Sequence, residues 1–237
     1  LERVNQMAEQ NGCCAVIVAA GNSTRMGRPK QFLPLLGKPA LWWTLRAFDR
    51  AARVSSLVLV VREEDLPQAE VLARRAGLSK PFAFAPGGAE RQLSVRSGLL
   101  AAPGMPALAA VHDGARPLVT PQEIDAVIAS AEPPAGAALA VRVKDTIKVA
   151  DARGFVLSTP ARDALWAVQT PQVFPFRRYL EEMERAVAAG RLYTDDCQLW
   201  EHAGLPVRLC EGSYENLKLT TRDDIFTAEA ILRKREE

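Results

Sequence analysis

The sequence predicts an α/β protein: a mostly parallel sheet flanked by helices, with a β-hairpin arm inserted late in the chain. Three observations carry this reading. Up to Ala131, short apolar runs alternate with stretches of helical spacing, the pattern of a parallel sheet wound by right-handed crossovers. Beyond residue 136 that rhythm breaks, and two short β-like runs flank a turn at Asp151–Gly154. The composition, 48% hydrophobic and 24% charged over 237 residues, is that of a globular chain long enough to bury a core without covalent staples.

Each element has its own signal. Cys14–Ala20 is continuously apolar and stops at Gly21, as a buried strand does. Pro39–Ala52 carries Leu41, Leu45 and Phe48 at helical spacing. Leu57–Val61 is the next buried strand. Glu63–Ala76 opens on Glu63, Glu64 and Asp65 followed by Pro67, residues that suit the positive end of a helix. Phe82–Ala85 and Ala107–Val111 are further strands, with a helix over Glu90–Ala102 between them. Thr120-Pro121-Gln122-Glu123 is a cap residue, a proline at the first helical position and an acid three residues on, which starts a helix over Pro121–Ala131.

Ala137–Val143 reads as a strand, and Asp145–Val149 with Phe155–Ser158 as the two sides of a hairpin. The segment 143–163 has no obvious apolar face and is expected to project as an arm. An isolated hairpin is marginal in water, so the arm predicts a homodimer packed through it. A helix over Phe176–Ala189, a short helix from Thr194, a strand at Pro206–Leu209 and a closing helix from Thr221 complete the pattern. No repeat, low-complexity tract or linker divides the chain. The first residue is Leu, and Met7 is a candidate native start, so one domain is expected over 7–237.

Composition also excludes classes. No apolar run approaches the roughly 20 residues of a membrane span, and no leader pattern precedes Gly21. Thirty basic against 28 acidic residues leave a net charge of +2, which makes no case for nucleic acid as a partner. The four cysteines, Cys13, Cys14, Cys197 and Cys210, form no CxxC pair, and the two histidines, His112 and His202, lie far apart, so no zinc site is expected. Reduced, buried thiols imply a cytoplasmic setting.

Four segments could carry chemistry. The first strand runs into Ala20-Gly21-Asn22-Ser23-Thr24-Arg25-Met26-Gly27-Arg28-Pro29-Lys30. A glycine-rich loop beyond a parallel strand can aim backbone N–H groups at phosphate, and Arg25, Arg28 and Lys30 place cations beside it. It is neither GxxxxGK[ST] nor GxGxxG, so neither a P-loop NTPase nor a dinucleotide oxidoreductase is indicated. Asp113 in Val111-His112-Asp113-Gly114-Ala115-Arg116-Pro117 leaves a strand beside glycine; that suits a Mg²⁺ ligand and, equally, a turn carboxylate capping local amides. His112 has no partner at ligand spacing and reads as packing. Gly87-Gly88-Ala89-Glu90-Arg91-Gln92-Leu93-Ser94 opens a helix, and its glycines let a flat ring approach the backbone. Lys218 in Asn216-Leu217-Lys218-Leu219-Thr220-Thr221 is either a cation aimed inward from a strand or a surface lysine lying along apolar neighbours.

Together, AAGNSTRMGRPKQFLPLLGKP, GGAERQLSVRSGL, VHDGARP, VKDTIK, ARDALWAVQTPQVF, YTDD and ENLKLTTRDD, spread over residues 19–224, resemble the 2-C-methyl-D-erythritol 4-phosphate cytidylyltransferase family. The glycine-rich loop is shared with many sugar nucleotidyltransferases; VHDGARP with TPQVF and NLKLTT is far more specific. The resemblance implies a Rossmann-like nucleotidyltransferase fold with a dimerising β-arm. It also implies that CTP and methylerythritol phosphate are the substrates and Mg²⁺ the cofactor. By the same resemblance, Arg25 and Lys30 stabilise the transition state. Ala20, Gly21, Gly88 and Ser94 contact the nucleotide, and Asp113 serves the metal. Arg116, Thr170, Thr194 and Lys218 hold the acceptor phosphate, while Thr146 and Arg162 reach the partner subunit's site from the arm. Two positions depart from the pattern: Ala89, where some relatives carry an acid, and Glu215, where some carry Asp.

The implied chemistry suits these residues. A phosphate-monoester oxygen, its second pKa about 6, is already largely dianionic at neutral pH and needs no base. The obstacle is its attack on an anionic triphosphate, and positioning with countercharge overcomes it. Arg25 and Lys30 would draw charge from the α-phosphate while Arg162 and Lys218 hold the attacking group in line. Ribitol-5-phosphate cytidylyltransferase shares much of this pattern, and a non-catalytic nucleotide-binding protein is the reading from another class.

Overall fold

The computed structural model of the chain describes residues 12–21 and 29–236. The candidate start at Met7 and the stretch with Arg25 and Arg28 lie outside the described residues. A seven-stranded sheet organises the rest. In chain order its strands are β1 (Cys13–Val18), β4 (Val54–Val61), β5 (Phe82–Pro86), β6 (Leu108–Asp113), β7 (Gly136–Arg142), β10 (Trp166–Pro175) and β11 (Val207–Glu211). Two small hairpins take the remaining numbers: β2 (Pro34–Leu35) with β3 (Lys38–Pro39), and β8 (Val149–Ala150) with β9 (Val156–Ser158). The helices are α1 (Ala40–Arg50), α2 (Leu66–Ala76), α3 (Arg91–Leu100), α4 (Pro121–Ser130), α5 (Phe176–Ala188), α6 (Asp196–His202) and α7 (Asp223–Glu236).

The sheet runs β11-β7-β10-β6-β1-β4-β5. All neighbours are parallel except β10, which is antiparallel to both β6 and β7. From β1 the chain winds outward through β4 to β5, then returns to β6 on the other side of β1. That reversal is a topological switch point, where open α/β sheets leave a crevice beyond their strand ends. Gly21 follows β1 and Gly114 follows β6, so both glycine-bearing segments open onto this crevice.

Strand β1 shows how the sequence builds both layers. Its side chains alternate, and both faces are covered, which is why the run is apolar throughout. Cys13, Ala15 and Ile17 join a core with Leu41, Leu45 and Phe48 of α1, Leu72 of α2, and Ile124 and Val127 of α4. Cys14 and Val16 join the opposite core with Val95 and Leu99 of α3, Tyr179 and Met183 of α5, and Trp200 of α6. There Phe174 stacks on Tyr179 with ring centroids 4.6 Å apart. Aromatics of this size bury roughly 150–250 Å² each and dominate such a layer. In α3, a methyl at Gly98 would lie 2.8 Å from Val60 Cγ2 and would overlap Val16, so the helix sits hard against β1 and β4. Leu118, Leu219, Ala228 and Leu232 form a third, smaller cluster that seats α7 against the β2–β3 hairpin.

Several expectations are corrected. β10 went unread from sequence. Its first residues are half-buried or exposed, and its Gln-Thr-Pro-Gln centre hides the apolar pattern. The segment around Lys218 is irregular loop, not strand. The first helical turn expected at Glu63 is a 3-10 turn over Glu63–Asp65 that leads into α2. The paired part of the arm is shorter than expected, and it does carry apolar surface: Ile147, Val149, Phe155, Val156 and Leu157 are all exposed.

Candidate active site

The ends of four strands are tied together at the switch point. Ala19 N–H donates to Val60 C=O, Gly87 N–H to Val61 C=O and Gly114 N–H to Val18 C=O, each at 2.8 Å. A methyl at Gly87 would collide with Ala20 Cβ, so the turn after β5 can close on the end of β1 only as glycine. Beyond these ends lies a cleft of about 420 Å³. Ala20, Gly21, Lys30, Gly88, Ser94, Asp113 and Lys218 all line it, so segments far apart in sequence converge there.

The turn into α3 is held by its own side chains. Ser94 Oγ accepts from Gly88 N–H at 3.0 Å and donates to Glu90 C=O at 3.2 Å. Lys30 begins a 3-10 turn over Lys30–Phe32. The next residue, Gln31, is buried and donates from Nε2 to Ala19 C=O at 2.6 Å, which fixes Lys30 relative to β1.

Asp113 is the electrostatic centre. Its Oδ2 receives Lys218 Nζ at 2.7 Å and its Oδ1 receives Arg91 Nε at 3.1 Å. Burial would raise the carboxyl's pKa, but the charges of Arg91 and Lys218 outweigh it and hold Asp113 well below the usual carboxylate range. The carboxylate is therefore ionised at neutral pH. Among the described residues no group of three or more His, Cys, Asp and Glu is placed to hold a metal. A Mg²⁺ ion bound through one carboxylate, substrate phosphates and water requires no such group, and Asp113 is a carboxylate that could serve it.

A chain of hydrogen bonds holds Asp113 from below. Its backbone N–H donates to Thr170 Oγ1 at 3.1 Å, and Thr170 lies 3.0 Å from His112 Nδ1. His112 Nε2 lies 3.1 Å from Arg116 C=O. The carbonyl can only accept, so the neutral histidine donates from Nε2 to it, and Nδ1 accepts from the Thr170 hydroxyl. Burial pushes the His112 pKa down to about 4, so the ring is neutral at pH 7. His112 is thus packing with a purpose: it fixes the turn that presents Asp113 and Arg116.

Lys218 arrives on a loop pinned at several points. Asn216 Nδ2 donates to Thr170 C=O at 3.0 Å and to Gln169 Oε1 at 3.1 Å. Arg116 Nη1 donates to Asn216 C=O at 2.7 Å, and Leu219 N–H to Ala115 C=O at 2.9 Å. Arg116 Nε is buried with no hydrogen-bond partner among the described residues. Burial lowers the pKa of this guanidinium from its ordinary value. It remains a cation and holds a donor in reserve.

The remaining expected residues lie elsewhere. Thr170 is buried, its hydroxyl used as above. Thr194 is exposed, and its N–H and hydroxyl both donate to Gln198 Oε1 at the start of α6. Thr146 and Arg162 are exposed on the arm, where Arg162 donates to Lys144 C=O at 3.2 Å. None of these four lines the cleft, and neither does Arg116. Sequence reasoning missed Gln31, Arg62, Glu63 and Arg91, all of which do. For Arg91 there was a signal: a cation at the first residue of a helix opposes the macrodipole and needs carboxylate partners.

A family model described as 2-C-methyl-D-erythritol 4-phosphate cytidylyltransferase (IspD) matches residues 13–234. The chain is 46% identical over 225 residues to the protein of that name from Desulforamulus reducens, covering 93% of this chain and 96% of that one. It is 44% identical to the one from Caldanaerobacter subterraneus subsp. tengcongensis, over 93% of this chain and 98% of that one. Among solved structures, 4-diphosphocytidyl-2C-methyl-D-erythritol synthase from Anaerococcus prevotii superposes with a TM-score of 0.85 at 28% identity, covering 94% of this chain and 99% of that one. The Thermus thermophilus cytidylyltransferase gives 0.75 at 32% identity, covering 92% and 98%.

Proposed function

The chain belongs to the 2-C-methyl-D-erythritol 4-phosphate cytidylyltransferase family, and from that membership we propose that the cleft beyond β1 and β6 is where its two substrates meet. The enzyme joins CTP to 2-C-methyl-D-erythritol 4-phosphate, giving CDP-methylerythritol and pyrophosphate in isoprenoid precursor biosynthesis. The observation that carries the site assignment is the convergence of Lys30, Asp113 and Lys218 on one crevice at the switch point.

In this reading the base lies against the Gly87–Ser94 turn, whose shape Ser94 holds. Backbone groups at Ala20, Gly21 and Gly88 face the nucleotide. Lys30, and Arg25 by the family resemblance, draw charge from the α-phosphate as the new bond forms. Asp113 would hold Mg²⁺ together with the triphosphate, and the ion would supply countercharge to the phosphates there. Lys218 receives the acceptor phosphate and aims its oxygen at the α-phosphorus, while Arg116 braces the loop that carries Lys218 by donating to Asn216 C=O. The dianion is its own nucleophile, so no side chain removes a proton. Thr170 supports the acceptor side through Asp113, and Thr194 through the start of α6.

We further propose a homodimer formed through the arm, which would bring Thr146 and Arg162 to the partner subunit's cleft. The exposed Phe155, Val156 and Leu157 support this, because apolar side chains clustered on a thin hairpin are costly to leave in water. The unpaired cysteines support a cytoplasmic setting. No described helix is long and apolar enough to cross a membrane.

A turnover panel tests the assignment: CTP, UTP, ATP and GTP, each with methylerythritol phosphate and with ribitol 5-phosphate, read by pyrophosphate release. CTP with methylerythritol phosphate should dominate. The exocyclic amine of cytosine donates where uracil accepts, and a mismatch against fixed backbone groups leaves them unpaired. Equal turnover with UTP would show that the Gly87–Ser94 turn does not read the base.

A further inference from the structure

Arg91 has no part in the reaction as described, yet it is braced by two largely buried carboxylates at the site. It is the first residue of α3 and lines the cleft. Its Nε meets Asp113 Oδ1 at 3.1 Å, and its Nη1 meets Asp196 Oδ2 at 2.8 Å. Asp196 is buried, and its Oδ1 accepts from the fully buried Tyr179 hydroxyl at 2.5 Å. The neighbour Gln92, also buried, donates to Arg191 C=O at 3.1 Å and accepts from Tyr193 N–H at 2.8 Å. Both side chains at the start of α3 thus bind the 191–196 segment.

The arrangement is expensive as structure alone. A cation at the first helical residue works against the helix dipole, and buried ion pairs seldom stabilise more than apolar packing of the same volume would. What it provides is geometry. A guanidinium can engage one carboxylate through Nε and a second through a terminal nitrogen, in fixed directions that an ammonium cannot reproduce. Asp196, oriented by Tyr179, fixes the guanidinium. The guanidinium in turn fixes one oxygen of Asp113, leaving Lys218 on the other.

We propose that Arg91 is a positioning residue for the cytidylyl transfer, holding the Asp113 carboxylate in its working orientation from an anchor formed by Asp196 and Tyr179. The inference deepens the reading of Asp113 given above and rests on it. Groups that orient a ligand carboxylate typically cost about 10–100-fold in affinity or activity when removed. Asp196 does not line the cleft; its ion-pair partner Arg91 does, and the Asp113→Asn background separates an effect that passes through Arg91 from one that passes through the start of α6.

The test is a double-mutant cycle. Arg91→Gln and Asp196→Asn are each made in the wild-type and in the Asp113→Asn background. Three quantities are measured: kcat, calorimetric binding of CTP with Mg²⁺ in the absence of acceptor, and the thermal midpoint. In the wild-type background Arg91→Gln should lower kcat by about 10–100-fold and weaken CTP–Mg²⁺ binding, with Asp196→Asn following in the same direction. In the Asp113→Asn background both effects should shrink to within ~3-fold, since groups that act through one another are not additive. Equal losses in the two backgrounds would overturn the proposal, as would an Arg91→Gln enzyme of normal turnover. If Arg91→Gln does not fold, the Asp196→Asn cycle decides by the same criterion. An Asp113→Asn enzyme with normal turnover and binding would instead overturn the reading of Asp113, and this inference with it.

Discussion

Lys30 and His112 mark two kinds of residue at this site. Lys30 lines the cleft, and the Gln31–Ala19 bond sets its place. Its proposed charge matters most as the α-phosphate gains charge, so Lys30→Ala should lower kcat by about 10²–10³ with far less effect on CTP binding. Steady-state kinetics beside calorimetric CTP titration would show this, and near-normal kcat would reduce the residue to part of a binding turn. His112 touches no substrate in the proposed reading, but burial holds its pKa at about 4 against an ordinary 6.5. The native state therefore takes up this proton less readily than the unfolded chain. Stability should fall as pH drops below about 6.5, with this contribution levelling off below about 4. Urea midpoints across that range should slope more steeply in the wild type than in His112→Gln; parallel slopes would show that the ring protonates freely in the folded protein. Local motifs reveal Lys30, Asp113 and Gly88, because each sits in a short glycine-bearing segment after a strand. Thr170, Gln31 and Arg91 act through partners distant in sequence, and no spacing rule reaches across that distance.

Among the elements, α4 does more than its length suggests. Thr120 and Glu123 form the capping box that the sequence predicts, with Thr120 Oγ1 accepting from Glu123 N–H at 3.2 Å and Glu123 Oε2 accepting from Thr120 N–H at 2.9 Å. The other carboxylate oxygen of Glu123 accepts from Ser213 N–H at 2.9 Å, at the start of the loop that carries Lys218. Losing the cap alone should cost roughly 0.5–2 kcal/mol, the range expected for Thr120→Ala. Glu123→Ala should lose the cap and also release the loop. At a comparable drop in thermal midpoint, its kcat with methylerythritol phosphate should fall several-fold further than that of Thr120→Ala. Equal kcat in the two variants would mean that the loop is held well enough by Asn216 and Leu219. Helices such as α4 are legible because caps and apolar periodicity are local. β10 is not: its ladder with β7 breaks between Val168 and Gln172, where Gln169 and Thr170 turn to the Lys218 loop and the Asp113 turn. The polar residues that make the strand useful are the ones that disguise it.

At the scale of the molecule, the alternation of strands and helices was enough to predict the layered α/β sheet, because each crossover is a local event repeated. The antiparallel β10 and the pinned loop near the C-terminal end depend on long-range pairing, and they are where the sequence reading failed. The arm carries the remaining prediction. If Arg162 serves the partner subunit's site, Arg162→Ala and Lys218→Ala should each be nearly inactive. Mixed dimers would hold one site with both residues intact and one with neither. Random exchange makes about half the dimers mixed, so activity should recover to roughly a quarter of wild type if the sites act independently. Co-expression with differently tagged chains supplies the heterodimer, and no recovery in it would return Arg162 to its own chain or to no site.

The ion pair between Lys218 and Asp113 spans 105 positions of the chain. During synthesis, at roughly 5–20 residues per second, the ribosome adds Lys218 about 5–20 s after Asp113. In that interval β1, β4, β5 and β6 are already made, and so is the turn proposed to read the base. The nascent chain therefore carries every segment proposed to face the nucleotide before it owns the lysine that would receive the second substrate. The two halves of the proposed reaction are thus written into the chain in sequence, the nucleotide's side first and the acceptor's side last.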